Sequence, residues 1–449
     1  MDRLPPTVKF EILLNSDYPT IINLCQTSKS FNQACQDEYL WARKAELESG
    51  ITPAELALLP AENNRIKYDW IVRVDPDYGL VKASELGVLS LVKYFANVGG
   101  KDLDKAMEEA AKNGHLDVVE YLIEQGASDY TAAMIAAAYE GHINIVELML
   151  SLGVDQYNWG MRSAAIGGYI DIVKLFLSYG ADSYDDTLML AAGKGYLDIV
   201  KLMIEKGARA FDHAMSAAAI SGHLDMVKFL LAKGARNVDD ALALAAGEGH
   251  LEIVKLLLEK GARNVDDALV SAASSGHLEI VKLLLAKGAK SVDVAMHEAA
   301  GEGYLEIVKL LLAKGAKSFD IALPEAAGNG YLEIVKLLLT KGAKNVNEAM
   351  YQAAGNGYLE IVKLLLTKGA RDFDAAMINA AGRGYLDIVK LLVSKGARDY
   401  DEAIVSAITE DHLDVVKYLV EQGANIDMAI ETAEEYDAPE IIDYLESRK

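Results

Sequence analysis

Gly276-His-Leu-Glu-Ile-Val-Lys-Leu-Leu-Leu-Ala-Lys-Gly-Ala289 is the stretch on which the reading of this chain turns. Relatives of it begin at Gly114, Gly141, Gly168, Gly195, Gly222, Gly249, Gly303, Gly330, Gly357 and Gly384, each 27 residues after the last, and Asp411 takes the glycine's place in a twelfth copy. Degenerate copies flank these around Gly87–Phe95 and Ala438–Leu445, making about fourteen units. A fixed period of this size marks a stacked-repeat architecture.

Each unit reads as two short helices. In Leu251–Lys260 the charges Glu252, Lys255 and Glu259 fall three and four apart, so one stripe meets water and the rest packs between neighbours. Gly261 and its equivalents read as C-cap glycines. The column Asp104, Thr131, Asn158, Asp185, Asp212, Asp239, Asp266, Asp293, Asp320, Asn347, Asp374, Asp401 has residue types that cap a helix start, and predicts the N-cap of each first helix. An apolar column (Met107 to Ile404) follows three residues later, then an Ala-Ala pair such as Ala245-Ala246, small enough for close helix approach.

The chain has 449 residues, 51% hydrophobic and 25% charged, which excludes a largely disordered protein. No apolar run reaches the ~18–20 residues of a membrane span. The opening Met1-Asp2-Arg3-Leu4-Pro5-Pro6 lacks the basic-then-apolar pattern of a signal peptide. The two cysteines, Cys25 and Cys35, form no CxxC; they predict buried thiols in a reducing compartment, neither a zinc ribbon nor a disulfide scaffold. A net charge of −23 argues against nucleic acid and anionic membrane surfaces, and favours partners with basic or polar faces.

The Gly276–Ala289 string, preceded by a helix with Ala-Ala, resembles the ankyrin repeat family over residues 85–449. Ankyrin repeats usually run to about 33 residues, so about six are missing here. Those would be the β-hairpin finger with its Thr-Pro-Leu-His signature; here Gly-Ala-Arg-Asn-Val joins the helices directly. The expected fold is therefore all-α, an ankyrin-type α-solenoid of about fourteen helix-pair repeats without fingers, with a polar C-terminal cap from Glu434 onward. This shortened form is similar to ankyrin proteins of large DNA viruses. That resemblance implies a host-cell cytoplasmic location and recognition by first helices and short loops.

Residues 1–50 do not repeat. They open on Leu4-Pro5 and continue with Val8, Ile12-Leu13, Ile21-Ile22, Leu24-Cys25, Phe31-Asn32, Cys35 and Leu40-Trp41, spaced for three short helices. This pattern resembles an F-box over residues 3–45, although Pro6-Thr7 stand where that family usually carries an acid. The resemblance implies docking on a Skp-family adaptor of a cullin–RING ubiquitin ligase. Leu4, Pro5, Val8, Ile12 and Leu13 would face the adaptor, with Ile21, Leu24 and Cys25 near or under that surface. A module this small has little core of its own. Residues 51–84, with Thr52-Pro53 as a helix start and Trp70 as an anchor, are expected to weld it to the repeats.

Six histidines share one column, His115, His142, His223, His250, His277 and His412, and Tyr fills that column elsewhere (Tyr169, Tyr196, Tyr304, Tyr331, Tyr358, Tyr385). A repeated metal site would not accept Tyr; in the family this position bonds the inter-repeat turn. Neither a nucleophile–base pair nor a phosphate loop is present, so no catalysis and no cofactor are expected. The basic columns Arg209 to Arg398 and Lys206 to Lys395 read as cations offsetting helix C-termini, with an acidic partner as the alternative.

First-helix positions that vary between copies are the binding candidates. Trp159 and Arg162 are the preferred anchors, of types enriched in hot spots; Asp186, His213, His297 and Tyr351 occupy the same columns. Pro324 predicts a local helix distortion. Two functions remain: a monomeric substrate-recruiting subunit of a ubiquitin ligase, or a stand-alone scaffold whose N-terminal module only caps the array.

Overall fold

The computed structural model describes residues 4–61 and 63–449, with the Ser30 side chain left aside; Met1-Asp2-Arg3 of the opening motif lie outside the described residues. Every regular element among them is a helix, 34 in all. Two compact units are present, Met1–Ala214 and Met215–Lys449.

The first unit begins with α1 (Pro6–Leu14), α2 (Tyr18–Thr27), α3 (Lys29–Ala34) and α4 (Glu38–Ser49). Pro at the start of α1, and the Asp17, Ser28 and Asp37 side chains bonded to first-turn N–H groups, set the helix starts. Four helices thus replace the three expected, because Asp37 opens a new one through Leu40-Trp41. Leu13, Ile21, Phe31, Leu40 and Trp41 fill the small core. Lys44 is buried beside it, its Nζ donating to Leu14 O at 2.9 Å and Ser16 O at 2.7 Å and paired with Glu48.

The cysteine expectation is corrected. Cys25 at the end of α2 and Cys35 at the end of α3 are both buried, as packing residues should be, but they are joined in a disulfide. The tight α2–α3 turn brings their Cα atoms to 6.0 Å, within bridging reach. Spacing along the sequence could not show this, since the turn at Ser28 determines it.

Two helices follow, α5 (Pro53–Leu58), opened by a Thr52–Glu55 capping box, and α6 (Asn64–Arg73). The weld to the module is Tyr68 rather than Trp70 alone. The buried Tyr68 ring lies 5.5 Å from Trp41, and its hydroxyl donates to Glu48. Burial first, and then Glu48, push the Tyr68 hydroxyl well above its ordinary value. Trp70 meets Phe95 edge-on at 5.8 Å. Helix pairing starts with α7 (Pro76–Glu85), at the end of the expected connector, on α8 (Leu89–Asn97), which lies beyond it.

From α7 onward, within each unit, first helices stack on first helices and each packs on its own second helix. The Ala-Ala pairs lie fully buried at these crossings. The acidic column does not cap its own helix, which corrects the sequence expectation. Asp104 sits in the second position of Leu103–Lys112, and its Oδ1 accepts the backbone N–H groups of Ser128 and Asp129, at the start of the following repeat. Asp77, Asn158, Asp185, Asp239, Asp266, Asp293, Asp320, Asn347 and Asp374 do the same 24 and 25 residues ahead. The column therefore ties repeat to repeat through the backbone.

The His/Tyr column bonds the preceding repeat, as expected. His115, His142, His250 and His277 place Nε2 2.8–3.1 Å from carbonyls thirty residues back, so Nε2–H donates. At two of the Tyr copies, Tyr331 and Tyr358, an asparagine two residues earlier serves the same carbonyl column: Asn329 Nδ2 donates to Gly301 O and Asn356 Nδ2 to Gly328 O. The rings also cover the left-handed glycine of the preceding repeat. A Cβ on Gly303, at φ 86°, would lie 2.4 Å from the Tyr331 ring. Asp411 adopts φ 59° without glycine, because Ala438 stands where the next ring would be.

Pro324 leaves helix Phe319–Gly328 unbroken, contrary to the expected distortion. Its missing N–H would have bonded Asp320 O. That carbonyl instead receives Asn345 Nδ2 at 3.3 Å from the next repeat. On the second helices, Lys255–Glu252, Lys282–Glu279, Lys309–Glu306, Lys336–Glu333 and Lys363–Glu360 pair at 2.6–2.7 Å, forming the expected wet stripe.

Candidate protein-binding surfaces

Helix α1 has two faces. Lys9 and Leu13, four apart, point inward and are buried. Pro5 and Val8 are exposed, Val8 by 41%, and Leu4 and Ile12 are half-buried. Val8 and Ile12 are also four apart, so they share a stripe. Leu24 of α2 is half-buried, whereas Ile21 and Cys25 lie beneath in the core. Of the seven residues expected at an adaptor surface, Leu13 and Ile21 therefore act from within and the other five are at the surface. The sequence reading missed a stacked pair, Phe10 and the exposed Tyr39, with ring centroids 5.9 Å apart. Their signal was an exposed aromatic following the Asp37 cap.

In the first unit the structure brings three of the predicted target-binding residues together. Trp159 is 58% exposed on helix Tyr157–Gly167. The Arg162 guanidinium lies over its ring at 4.3 Å, and its Nη1 donates to Asp186 Oδ2 of the next first helix at 3.2 Å. Arg162 is thus held between a ring and a carboxylate, leaving the Trp159 surface open. Exposed His213 lies on helix Phe211–Ile220.

In the second unit His297 and Tyr351 stand on first helices. His297 Nδ1 is buried without a hydrogen-bond partner among the described residues, and Tyr351 is exposed, its carbonyl accepting from Asn379. A groove of about 460 Å³ runs between the first helices Phe319–Gly328 and Val346–Gly355, lined by Ile321, Pro324, Glu325, Glu348 and Gln352 among others. Neither His297 nor Tyr351 lines it.

In the basic columns, Arg209, Arg371 and Arg398 each donate to the carbonyl of the preceding alanine, just past the second helix, and Arg398 also donates to Val393 O within it at 3.2 Å, as the quieter reading expects of a cation at a helix end. Among the described residues no group of three or more His, Cys, Asp or Glu could hold a metal ion. No helix among them is long and apolar enough to cross a membrane.

The family model of ankyrin repeats, in three-copy segments, matches residues 80–158 and then overlapping stretches from 161 to 430. An F-box-like family model matches residues 1–46. No curated protein matches the chain. Among solved structures, the crystal structure of the human ASB11 ankyrin repeat domain is similar at 29% identity, covering 35% of this chain and 84% of that one, with a TM-score of 0.31.

Proposed function

We propose, since the chain belongs to the ankyrin repeat family, that it is a protein-recruiting subunit that holds a ligase adaptor at one end and a target on its repeats. Both kinds of module bind proteins and neither is typically catalytic, so its work is to raise a target's local concentration at a bound enzyme. The observation that carries the reading is the apolar stripe Pro5, Val8 and Ile12. It is displayed on an F-box-like module whose own core is already closed by Leu13 and Ile21. The partner is a Skp-family adaptor and, through it, a cullin. The target contacts the first helices, with Trp159, Arg162 and Asp186 as one anchor and His213 beside them in the first unit, and His297 and Tyr351 as contacts on the second unit. The finger-less repeat, an origin in a large DNA virus and the redirection of host degradation in the cytoplasm by a monomeric protein belong to this proposal.

The test is co-purification of adaptor and cullin from cell extract by the intact protein and by Val8→Asp/Ile12→Asp. Point changes are preferable to deleting residues 1–50, which would strip Trp41 from Tyr68. Adaptor retained by the native protein and lost by the variant supports the reading. If the native protein retains none at low salt, the reading fails. The stand-alone scaffold then follows, and the Trp41–Tyr68 contact, which packs the module on α6, favours it.

A further inference from the structure

The third residue of each first helix from Val238–Gly247 to Tyr400–Thr409 forms a row: Asp240, Asp267, Val294, Ile321, Glu348, Ala375, Glu402. Its acids are exposed, as such a position should be. Three members are not acids, and two of these, the adjacent Val294 and Ile321, are large and yet stay in water: Val294 is 51% and Ile321 61% exposed. Two adjacent repeats thus present bare aliphatic side chains at a position where the repeats on both sides present carboxylates. Beside Ile321 the groove toward helix Val346–Gly355 continues the apolar surface through Pro324.

On the first helices themselves the charge around this pair is of one sign, with the exposed Lys290 and Lys317 standing before the helix starts. Glu298 and Glu325 follow one turn later on the same two helices. From Asn237 to Asn379 the first helices carry no Lys or Arg. None of the carboxylates of the row, nor Glu298 or Glu325, has an ion-pair partner among the described residues, whereas the second-helix acids are paired within their own helices.

We propose that this face takes an extended polypeptide segment of a target protein, with two apolar side chains at its centre and Lys or Arg on both sides. Burial of Val294 and Ile321 would supply the apolar part of the contact. The carboxylates, of which Asp240, Asp267 and Glu348 accept neutral side-chain amides but none has an ion pair among the described residues, select cations and reject an acidic segment. Spacing fixes the register. Packed helices lie about 8–10 Å apart, and a polyproline-II chain advances about 9 Å in the three residues that return to the same face. One residue in three therefore meets one repeat, which a β-strand with its two-residue period does not allow. The inference rests on the reading that the first-helix face holds the target, and not on the adaptor.

The experiment uses the full chain and a labelled synthetic peptide carrying Lys, Lys, Leu, Leu, Lys, Ala and Lys at every third position, with Pro and Ser between. Fluorescence anisotropy is read at low salt and at about 0.5 M salt. We expect Val294→Ser/Ile321→Ser to weaken binding about tenfold or more. Asp240→Asn/Asp267→Asn/Glu348→Gln/Glu402→Gln should weaken it and flatten its salt dependence. A peptide of the same composition with scrambled spacing should bind the native protein about tenfold more weakly. Absence of binding by the native protein, equal binding of the scrambled peptide, or unchanged binding by Val294→Ser/Ile321→Ser overturns the proposal. Adaptor retention is measured on the same preparations. Peptide failure with adaptor retained defeats this inference alone, and adaptor failure with peptide bound defeats only the ligase reading. The substituted side chains are exposed, so unchanged circular dichroism and melting accompany a valid result.

Discussion

Asp293 holds the backbone of Lys317, 24 residues further on, through a 2.5 Å hydrogen bond from the Lys317 N–H, and the same Oδ1 takes the Ser318 N–H at 2.9 Å. Those two bonds are the unit of cohesion between repeats. They depress the Asp293 carboxyl below its ordinary value near 3.8, the Lys317 N–H most of all, against the opposing effect of burial; Asp266 is lowered likewise by Lys290 and Ser291. A depressed carboxyl stabilises the fold at pH above its unfolded value, and the contribution is lost as pH falls through the folded value. The array is therefore expected to weaken below about pH 4. Asp293→Asn should keep the acceptor, as Asn158 and Asn347 do naturally, and lose less of its stability on acidification than the native chain. Asp293→Ala should cost about 1–2 kcal/mol at neutral pH. Urea midpoints at pH 7 and pH 3 decide this. An Asn variant with the native acid response would remove the lock as the titrating element.

Gly303 and Gly315 have nearly the same backbone, φ 86° and 98°, but different surroundings. A Cβ on Gly303 collides with the Tyr331 ring at 2.4 Å, whereas one on Gly315 meets nothing within 4 Å. Gly315→Ala should cost only the left-handed strain, about 1–2 kcal/mol. Gly303→Ala should cost about 1 kcal/mol more from overpacking, and adding Tyr331→Ala should remove the excess. Equal melting shifts for the two glycine variants would show that the ring yields freely.

Most of the fold was legible in the sequence because it repeats. Twelve copies turn one ambiguous helix pattern into a column-by-column reading, and columns such as Met296 or Ala299-Ala300 can only be core. What misled was partnership across the period. Asp293 has the composition of a cap, but its donors lie in the next repeat, and a cap and a lock use the same residue types. Pro324 breaks a helix rule, and only the three-dimensional neighbour Asn345 shows how the freed carbonyl is served. At the candidate sites, variability pointed to Trp159, Arg162 and Asp186, which do meet. The row through Val294 and Ile321 was visible as a variable column, but its exposure needed the structure. In the unrepeated N-terminal module a single copy gave no such leverage, and both the fourth helix and the Cys25–Cys35 bond went unread.

The disulfide closes a short loop, Cys25 to Cys35, and should stabilise the N-terminal module by about 2–3 kcal/mol through the unfolded chain. Under denaturing, non-reducing conditions the protein should show no reactive thiol, and two after reduction. Reduction, or Cys25→Ser/Cys35→Ser, should raise protease sensitivity in residues 4–50 and leave the repeats beyond Gly114 unchanged. Two reactive thiols in freshly purified, non-reduced protein would overturn the assignment.

Pro324 and Asn345 offer a direct measure of how one repeat repairs another. Proline removes the N–H that would have met Asp320 O, and Asn345 Nδ2 replaces that donor across the repeat boundary at 3.3 Å. The Asn345 side chain should therefore matter more when residue 324 is proline. Asn345→Ala in the native background leaves the Asp320 carbonyl to solvent and should cost about 0.5–1.5 kcal/mol. Pro324→Ala restores the helical hydrogen bond and should stabilise the chain by about 1 kcal/mol, less than the full cost of an interior proline because Asn345 already offsets part of it. In the double variant Asn345→Ala should cost little. The coupling energy from the four proteins should reach about 0.5 kcal/mol or more. The same cycle bears on binding, since Pro324 lines the groove beside Ile321. A coupling near zero would mean that the Asp320 carbonyl is served by water, with Asn345 held in place only by its backbone N–H on Asp320 Oδ1.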